Sequence, residues 1–259
     1  WTLMSEHECP GLSEKYGEEF VKLYEKYEKD MPHLEKINAR SLMSKIIEAQ
    51  IETGQPYMLY KDSINNKSNQ KNIGVIKSSN LCAEIVEYSD KSETSVCNLA
   101  SIALPKFIKK SNKAKTKEFD YKELYKTAKL ATKNLDEVID INFYPTDKTE
   151  KSNSKHRPIG LGIQGLADVF FELEIAYDSD KAKEVNKLIF ETIYFGALEA
   201  SHELAKEKGS YSTFKGSPLS EGKFQFDLWN SKPSKMWDWD TLREKIKKDG
   251  VRNSLTTAC

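Results

Sequence analysis

The chain has few cysteines, no excess of charge of either sign and no long apolar run, and each shortage excludes a class of protein. Four cysteines in 259 residues are too few for a disulfide-stapled secreted scaffold. Basic and acidic residues number 40 each, so no net charge attracts nucleic acid. No run approaches the roughly 18 apolar residues of a membrane span. We expect a cytoplasmic protein of one sizeable domain or two small ones, with neither membrane nor nucleic acid as partner.

Apolar residues at helical spacing predict long helices. The first follows Ser13 as its N-cap, and the second ends near Gly54. Another keeps one apolar face and ends at the break formed by residues 142–145. The longest runs from Asp178 to Gly209. The positions that carry these helices are Phe20, Leu23, Tyr24, Tyr27, Met43, Ile46, Ile47, Gln50, Leu124, Ala128, Ala131, Leu135, Val138, Ala182, Val185, Leu188, Ile189, Ile193, Ala197 and Ala200.

Short runs between the helices predict strands. Residues 56–60 and 73–76 are apolar and short enough for strands. Residues 109–117 are rich in lysine and poor in apolar side chains, so they predict a solvated surface loop rather than a basic docking site. Helices that alternate with short strands indicate an α/β fold.

Glycines at 160, 162 and 165 match the G-x-G-x-x-G spacing of a dinucleotide-binding loop. That loop requires a preceding buried strand, whereas residues 154–158 are polar. Close packing of a helix on strands is therefore the better explanation of the glycines.

Aromatic residues and histidines elsewhere indicate packing rather than a binding site. Trp229, Trp237 and Trp239 lie in an aromatic-rich region that predicts a core or an interface, not a base-stacking platform. His7 and Cys9 supply only two potential metal ligands, two residues apart, and the other histidines lie in unrelated contexts. No metal site is predicted. Those other histidines are His33, His156 and His202.

Residues 80 to 99 combine the side chains most suited to chemistry. Cys82 lies between the amide of Asn80 and the carboxylate of Glu84. A second thiol, Cys97, follows. If the segment is extended, positions 80, 82 and 84 point to one side, because alternate residues of a strand share a face. The segment therefore predicts groups that act on a hydroxyl-bearing substrate.

Two other interpretations of these thiols stay open. Free cysteines are usually small buried hydrophobes, so the chain could be a non-catalytic α/β interaction module with inert packing cysteines. It could also be a simple thiol-disulfide oxidoreductase that cycles Cys82 and Cys97. Their separation of fifteen residues is unlike a Cys-x-x-Cys motif, and this interpretation leaves Glu84 without a role.

Several stretches of text carry a resemblance to a known family. Residues 79–88 read Ser-Asn-Leu-Cys-Ala-Glu-Ile-Val-Glu-Tyr, and residues 96–104 read Val-Cys-Asn-Leu-Ala-Ser-Ile-Ala-Leu. Similar text is found at residues 7–12, 52–62, 156–168, 189–200 and 251–255. Together these stretches closely resemble the large, catalytic subunit of class I ribonucleotide reductase of the eukaryotic type, nearly from end to end.

The resemblance implies a role for each side chain of the active segment. Cys82 would be oxidised to a thiyl radical that abstracts the 3′ hydrogen of a ribonucleoside diphosphate, and Glu84 would take the proton of the 3′-hydroxyl. Asn80 would position the ribose hydroxyls. Cys97 would be one half of the dithiol that ends as a disulfide, with its partner outside this chain. The implied substrate-binding residues are Asn80, Leu81, Cys82 and Glu84.

The resemblance also implies a fold and a division of the chain. We expect an α/β structure that is part of a ten-stranded barrel, with the Cys82 loop inserted in its centre and many flanking helices. Residues 1–259 would form one catalytic barrel-domain fragment. Within it we expect a helical lead-in at 1–55, strands and the active-site loop at 56–105, and a helix-rich remainder at 106–259.

Partners and cofactors follow from the resemblance as well. The chain itself would bind no cofactor, because the radical comes from a separate di-iron small subunit and the electrons from thioredoxin or glutaredoxin. Sites for ATP and deoxynucleotide effectors would lie outside it, and the parent would be a homodimer or larger oligomer. The text departs from the family pattern at Cys259. The family's segments with the allosteric sites, the phosphate-binding loop and the cysteine-bearing tail are not recognisable here, so we expect an internal fragment that is inactive alone.

Overall fold

The computed structural model describes residues 1–83, 86–96, 98–110 and 116–255. The chain divides into two compact units, Trp1–Tyr88 and Ser89–Cys259. The described helices of the first unit are α1 (Gly17–Asp30), α2 (Ala39–Thr53) and α3 (Lys61–Lys67).

The first unit confirms the two predicted helices and corrects one of their ends. The predicted cap Ser13 is wrong, because α1 begins at Gly17 and no side chain caps it. α2 begins where the Asn38 side chain accepts a hydrogen bond from the Ser41 N–H. It ends at Gly54 in the left-handed conformation, as predicted. A small core around Cys9 holds α1 in place.

The predicted strands at 56–60 and 73–76 are wrong. Neither pairs with another segment among the described residues, and a strand needs a neighbour to satisfy its backbone groups. The side chains of residues 57–60 are exposed. Apolar content alone therefore does not form a strand where no partner strand lies alongside.

The second unit contains all the described strands. They are β1 (Leu99–Ala103), β2 (Ile108–Lys110), β3 (Lys117–Phe119) and β4 (Gly160–Gln164). Its helices are α4 (Tyr121–Ile141), α5 (Asp147–His156), α6 (Leu166–Glu172), α7 (Asp180–Lys208), α8 (Gln225–Leu228) and α9 (Trp239–Asp249). β1 runs parallel to β4, with Leu99 opposite Gly160, and β2 pairs antiparallel with β3.

The main core of the second unit lies between the β1–β4 pair and two long helices. Ile102 of β1 and Leu161 of β4 pack with Leu124 of α4 and Ile189 of α7. Both helices confirm the sequence prediction, and α7 begins at a Ser179 cap and stops at Gly209. Of the positions predicted for α4, Val138 is exposed. No described helix, α7 included, is long and apolar enough to cross a membrane.

The prediction for the lysine-rich segment and the prediction for the glycines at 160, 162 and 165 had different outcomes. The predicted loop at 109–117 is wrong at both ends, because Lys109 and Lys110 belong to β2 and Lys117 begins β3, and these strands pair antiparallel with their lysines exposed. Residues 111–115 lie outside the described residues. Gly160 and Gly162 lie within β4 and do not form a loop at the start of a helix. Gly165 adopts a φ of 80° before α6, where a Cβ would lie 2.7 Å from Pro105 Cδ. These positions fit a packing role for the glycines.

The aromatic-rich region forms a second core, as predicted. Trp237 stacks on Phe195 of α7, with ring centroids 5.1 Å apart. The Trp239 indole N–H donates to Glu191 Oε1 at 3.0 Å. Trp229 differs from the other two, since it is 60% exposed.

Candidate functional site

Cys82 lies at the tip of a tight turn. The Ala83 N–H donates to the Asn80 carbonyl at 3.1 Å, and Ala83 adopts a φ of 66°. The predicted extended conformation is therefore wrong for residues 80–83, because the hydrogen bond closes a turn and ends the alternation of faces. Glu84 lies outside the described residues, so its predicted place beside Cys82 stays a prediction.

The turn leaves its thiol open to a reaction partner. Cys82 is exposed, and Leu81 beside it is 86% exposed. Asn80 is half-buried, and its carbonyl also accepts from the Ser79 hydroxyl at 3.0 Å. The structure thus brings Asn80 and Cys82 together in one short turn, with the thiol at the surface.

Cys9 shows what a packing cysteine looks like in the same unit. It is fully buried, and its Sγ lies 3.8 Å from Met31 Sδ. Burial raises the pKa of the Cys9 thiol, which makes the reactive thiolate scarcer. Cys9 fits the interpretation of inert packing, whereas the exposed Cys82 does not.

Cys97 lies outside the described residues, but the residue that follows it is firmly held. The Asn98 side chain donates to Asn153 Oδ1 at 2.9 Å and to the Pro158 carbonyl at 3.0 Å. Its own carbonyl accepts from the Gly160 N–H at 2.9 Å. The start of β1 is therefore anchored to the start of β4 directly after Cys97.

Beside these strand starts lies a buried ion network that sequence reasoning missed. Arg157 Nε donates to Asp136 Oδ1 at 3.0 Å, and its two terminal nitrogens bond both oxygens of Asp140. The Arg157 guanidinium lowers the pKa of the Asp140 carboxyl. The Asn253 amide also donates to Asp136, at 3.1 Å. The network ties α4, the end of α5 and the 251–255 segment together.

A second missed cluster holds the segment that precedes Cys97. The buried Glu93 carboxylate lies 3.3 Å from His156 Nε2 and 3.3 Å from Lys155 Nζ. The other ring nitrogen, Nδ1, lies 2.8 Å from the Thr213 hydroxyl. Burial lowers the pKa of His156, and Glu93 opposes that shift only in part. A neutral ring can donate to Glu93 and accept from Thr213 at once.

The sequence offered only a weak signal for these clusters. His156 and Arg157 are polar or charged residues that lie four and three positions before the buried strand β4, which is unusual unless they have buried partners. Their partners lie far away in sequence, such as Glu93, 63 positions from His156. Among the residues that the structure describes, no group of His, Cys, Asp and Glu could hold a metal ion.

Comparison with known proteins agrees with these observations. The family model described as "Ribonucleotide reductase, barrel domain" matches residues 1–259. The chain is 55% identical to the ribonucleoside-diphosphate reductase large subunit of Acanthamoeba polyphaga mimivirus and 56% identical to that of Plasmodium falciparum. It is 54% identical to the large chain 2 of Saccharomyces cerevisiae.

All of this chain aligns with each relative, but it spans only 30%, 32% and 30% of their respective lengths. The match to the family is nevertheless unbroken from the first residue to the last. The chain therefore belongs to the ribonucleotide reductase barrel-domain family.

Proposed function

We propose that this chain is part of the large subunit of a ribonucleoside-diphosphate reductase, which makes deoxyribonucleotides for DNA synthesis. The observation that carries the proposal is the turn at 80–83, which presents an exposed Cys82 thiol in a chain matched throughout by reductase large subunits. An exposed thiol on a turn can reach a substrate without rearrangement of the core. The proposed substrate is a ribonucleoside diphosphate.

The proposed reaction starts and ends at Cys82. Its thiyl radical takes the 3′ hydrogen of the ribose, and Glu84 accepts the proton of the 3′-hydroxyl. The 2′-hydroxyl leaves as water after it takes a proton from a dithiol that includes Cys97. That dithiol gives up two electrons and closes to a disulfide. Its second hydrogen forms the new C2′–H bond, and Glu84 returns its proton to the 3′-oxygen. The Cys82 S–H then returns hydrogen to C3′, which regenerates the thiyl radical and releases the 2′-deoxyribonucleoside diphosphate.

Asn80 has a positioning role in this proposal. A side-chain amide donates and accepts hydrogen bonds without adding charge, which suits two neighbouring ribose hydroxyls. Leu81 is the exposed apolar residue between Asn80 and Cys82, and we assign it to contact with the sugar. The partner thiol of Cys97 would come from another part of the parent subunit.

The proposed partners supply what this chain lacks. A small di-iron subunit would generate the radical passed to Cys82, and thioredoxin or glutaredoxin would reduce the disulfide. ATP and deoxynucleotide effectors would act at sites elsewhere in an allosteric homodimer or larger oligomer. The chemistry needs free thiols, so we place the protein in the reducing cytoplasm.

Replacement of the proposed radical thiol tests this function. The complete parent subunit carrying Cys82→Ser, with its small subunit and a dithiol, is assayed for deoxynucleotide formation from a labelled ribonucleoside diphosphate. We expect the rate to fall more than about a thousandfold, because a hydroxyl does not form the radical under these conditions. Nucleotide binding should be retained.

The matched control is Cys9→Ala, which removes a thiol that is buried in the small core with Leu12 and Leu34. We expect it to keep its turnover. Product formation by Cys82→Ser at the rate of the unchanged parent contradicts the proposal.

A further inference from the structure

The two chain segments that lead into and out of the Cys82 turn, which we call its legs, contact each other at one point. Residues 73–79 form the first leg and residues 86–88 the second. A Cβ added at Gly74 would overlap the ring of Tyr88, so the legs are in contact at their base. Yet they form no strand ladder in the described residues. Something other than a ladder must hold them.

The side-chain amide of Asn65 holds the first leg. Its Nδ2 donates to the Ile76 carbonyl at 3.0 Å, and its Oδ1 accepts from the Ile76 N–H at 2.8 Å. Asn65 is 1% exposed, and Nδ2 also donates to the Lys61 carbonyl at 3.0 Å within α3. Both backbone groups of Ile76 are thus paired as a neighbouring strand would pair them.

The side-chain amide of Gln70 holds the second leg. Its Oε1 accepts from the Tyr88 N–H at 2.8 Å. Gln70 is also 1% exposed, and its own N–H donates to the Ser68 hydroxyl at 3.0 Å. The loop that follows α3 therefore carries a buried acceptor for the return leg.

The two attachment points are equally far from Cys82 in sequence. Ile76 and Tyr88 lie six residues before and six residues after Cys82. Both holding residues come from one short stretch, residues 65–70, which is polar in sequence yet buried at both Asn65 and Gln70. Release of either leg would leave a buried amide without its hydrogen-bond partner, which is unfavourable, so each attachment resists release of its leg.

We propose that Asn65 and Gln70 are positioning residues that fix both legs and so place the Cys82 thiol against the substrate. This inference rests on the proposed function. Hydrogen abstraction needs the sulfur close to one carbon of the sugar, and a misplacement of about 1 Å costs on the order of a hundredfold in rate. Neither residue touches the substrate, and each acts through the leg that it holds.

Variants of the complete parent subunit test the positioning role. Gln70→Met removes the acceptor at similar length, Gln70→Glu retains an oxygen for the Tyr88 N–H, and Asn65→Leu removes both contacts to Ile76. The matched controls are Asn66→Leu on the same helix and Lys71→Met beside Gln70, both at exposed positions. Readouts are kcat, KM, the thermal unfolding midpoint and the rate of Cys82 alkylation by iodoacetamide, followed by peptide mass.

We expect Gln70→Met and Asn65→Leu to lower kcat by about ten- to a hundredfold with KM unchanged. Alkylation of Cys82 should accelerate well below the unfolding midpoint, because the released turn moves more freely. Gln70→Glu should recover part of the lost kcat. The two controls should match the unchanged parent in all four readouts.

Unchanged kcat and unchanged alkylation in Gln70→Met overturn the inference. A loss of kcat that is fully explained by a lowered unfolding midpoint also overturns it, because Gln70 would then have only a structural role. If Asn65→Leu does not fold, the difference between Gln70→Met and Gln70→Glu still decides. Full turnover by Cys82→Ser overturns the proposed function itself. If Cys82→Ser is inactive but Gln70→Met keeps its kcat and its rate of Cys82 alkylation, only the positioning role is overturned.

Discussion

Glu87 carries a carboxyl group on the return leg of the Cys82 turn and is 6% exposed. Burial raises the pKa of Glu87 from 4.5 to about 8. Between those values the folded chain keeps a proton that the unfolded chain releases. The free energy of unfolding therefore falls as pH rises through this range, by about 3–5 kcal/mol in full.

Glu87→Gln should remove that pH dependence. A neutral amide has no proton to lose, so the variant should be more stable than the unchanged chain at about pH 9 and close to it at about pH 5. Urea unfolding of the chain at the two pH values measures the difference. Glu52→Gln, at an exposed position, is the control. An unaltered pH slope in Glu87→Gln is incompatible with a protonated buried carboxyl.

Still at the scale of residues, the candidate site shows how much could be predicted from the sequence. Asn80 and Cys82 were identified from the text around them, but their extended arrangement was wrong because a local hydrogen bond turned the chain. Asn65 and Gln70 were missed, since a polar run predicts an exposed loop. The roles of Asn80, Cys82, Glu84 and Cys97 all stay predictions.

At the scale of elements, the four longest described helices (α1, α2, α4 and α7) were predictable, whereas the shorter helices and the strands were not. α4 and α7 bury one face each, so their periodicity is visible in the sequence. Gly54 and Gly209 marked helix ends correctly because few other residues fit there. The runs at 56–60 and 73–76 have strand-like composition, but pairing depends on a neighbour that no local pattern reveals.

The ion network that joins α4, α5 and the 251–255 segment makes a prediction of its own. Arg157→Met leaves Asp136 buried without its main partner, and breaking a buried pair costs about 3–5 kcal/mol. Arg252 and Lys208 lie within 4.0 Å of the other Asp136 oxygen, so we expect the lower end of that range. Urea unfolding monitored by tryptophan fluorescence measures it.

The double variant Arg157→Met/Asp136→Leu separates charge from packing. Once the buried carboxylate is gone, the free energy of unfolding should recover in part. Additive losses in the double variant would show that the pair is not coupled. The exposed pair of Lys181 and Glu184 is the control, since surface ion pairs are worth about 0–1 kcal/mol.

At the scale of the whole molecule, the parallel β1–β4 pair is a partial barrel sheet, and the antiparallel β2–β3 pair is a separate sheet. β1 and β4 are parallel and are connected through α4 and α5, which is how an α/β barrel adds strands. The described residues contain two sheets of two strands each. A family resemblance predicted the barrel, whereas no periodicity in this chain could have done so.

The last prediction concerns the chain on its own. The proposed reaction consumes a pair of thiols, of which this chain supplies Cys97. Cys9 is fully buried against Met31, as expected of a packing cysteine rather than an exchanging thiol. The resemblance places the partner thiol in another part of the parent subunit, and without it the two electrons for the substrate have no source. The 259-residue chain should therefore form no deoxynucleotide, even with the small subunit and a dithiol present.

A product assay on the isolated chain beside the complete parent checks this, with ribonucleotide binding measured in parallel. The parent establishes that radical, reductant and substrate are all competent in the mixture. Steady turnover by the isolated chain would mean that its own cysteines complete the redox pair, and the role of Cys97 would need a new partner within these residues. If Cys97 pairs with a thiol from another part of the parent subunit, the isolated chain should show no turnover while the parent is fully active.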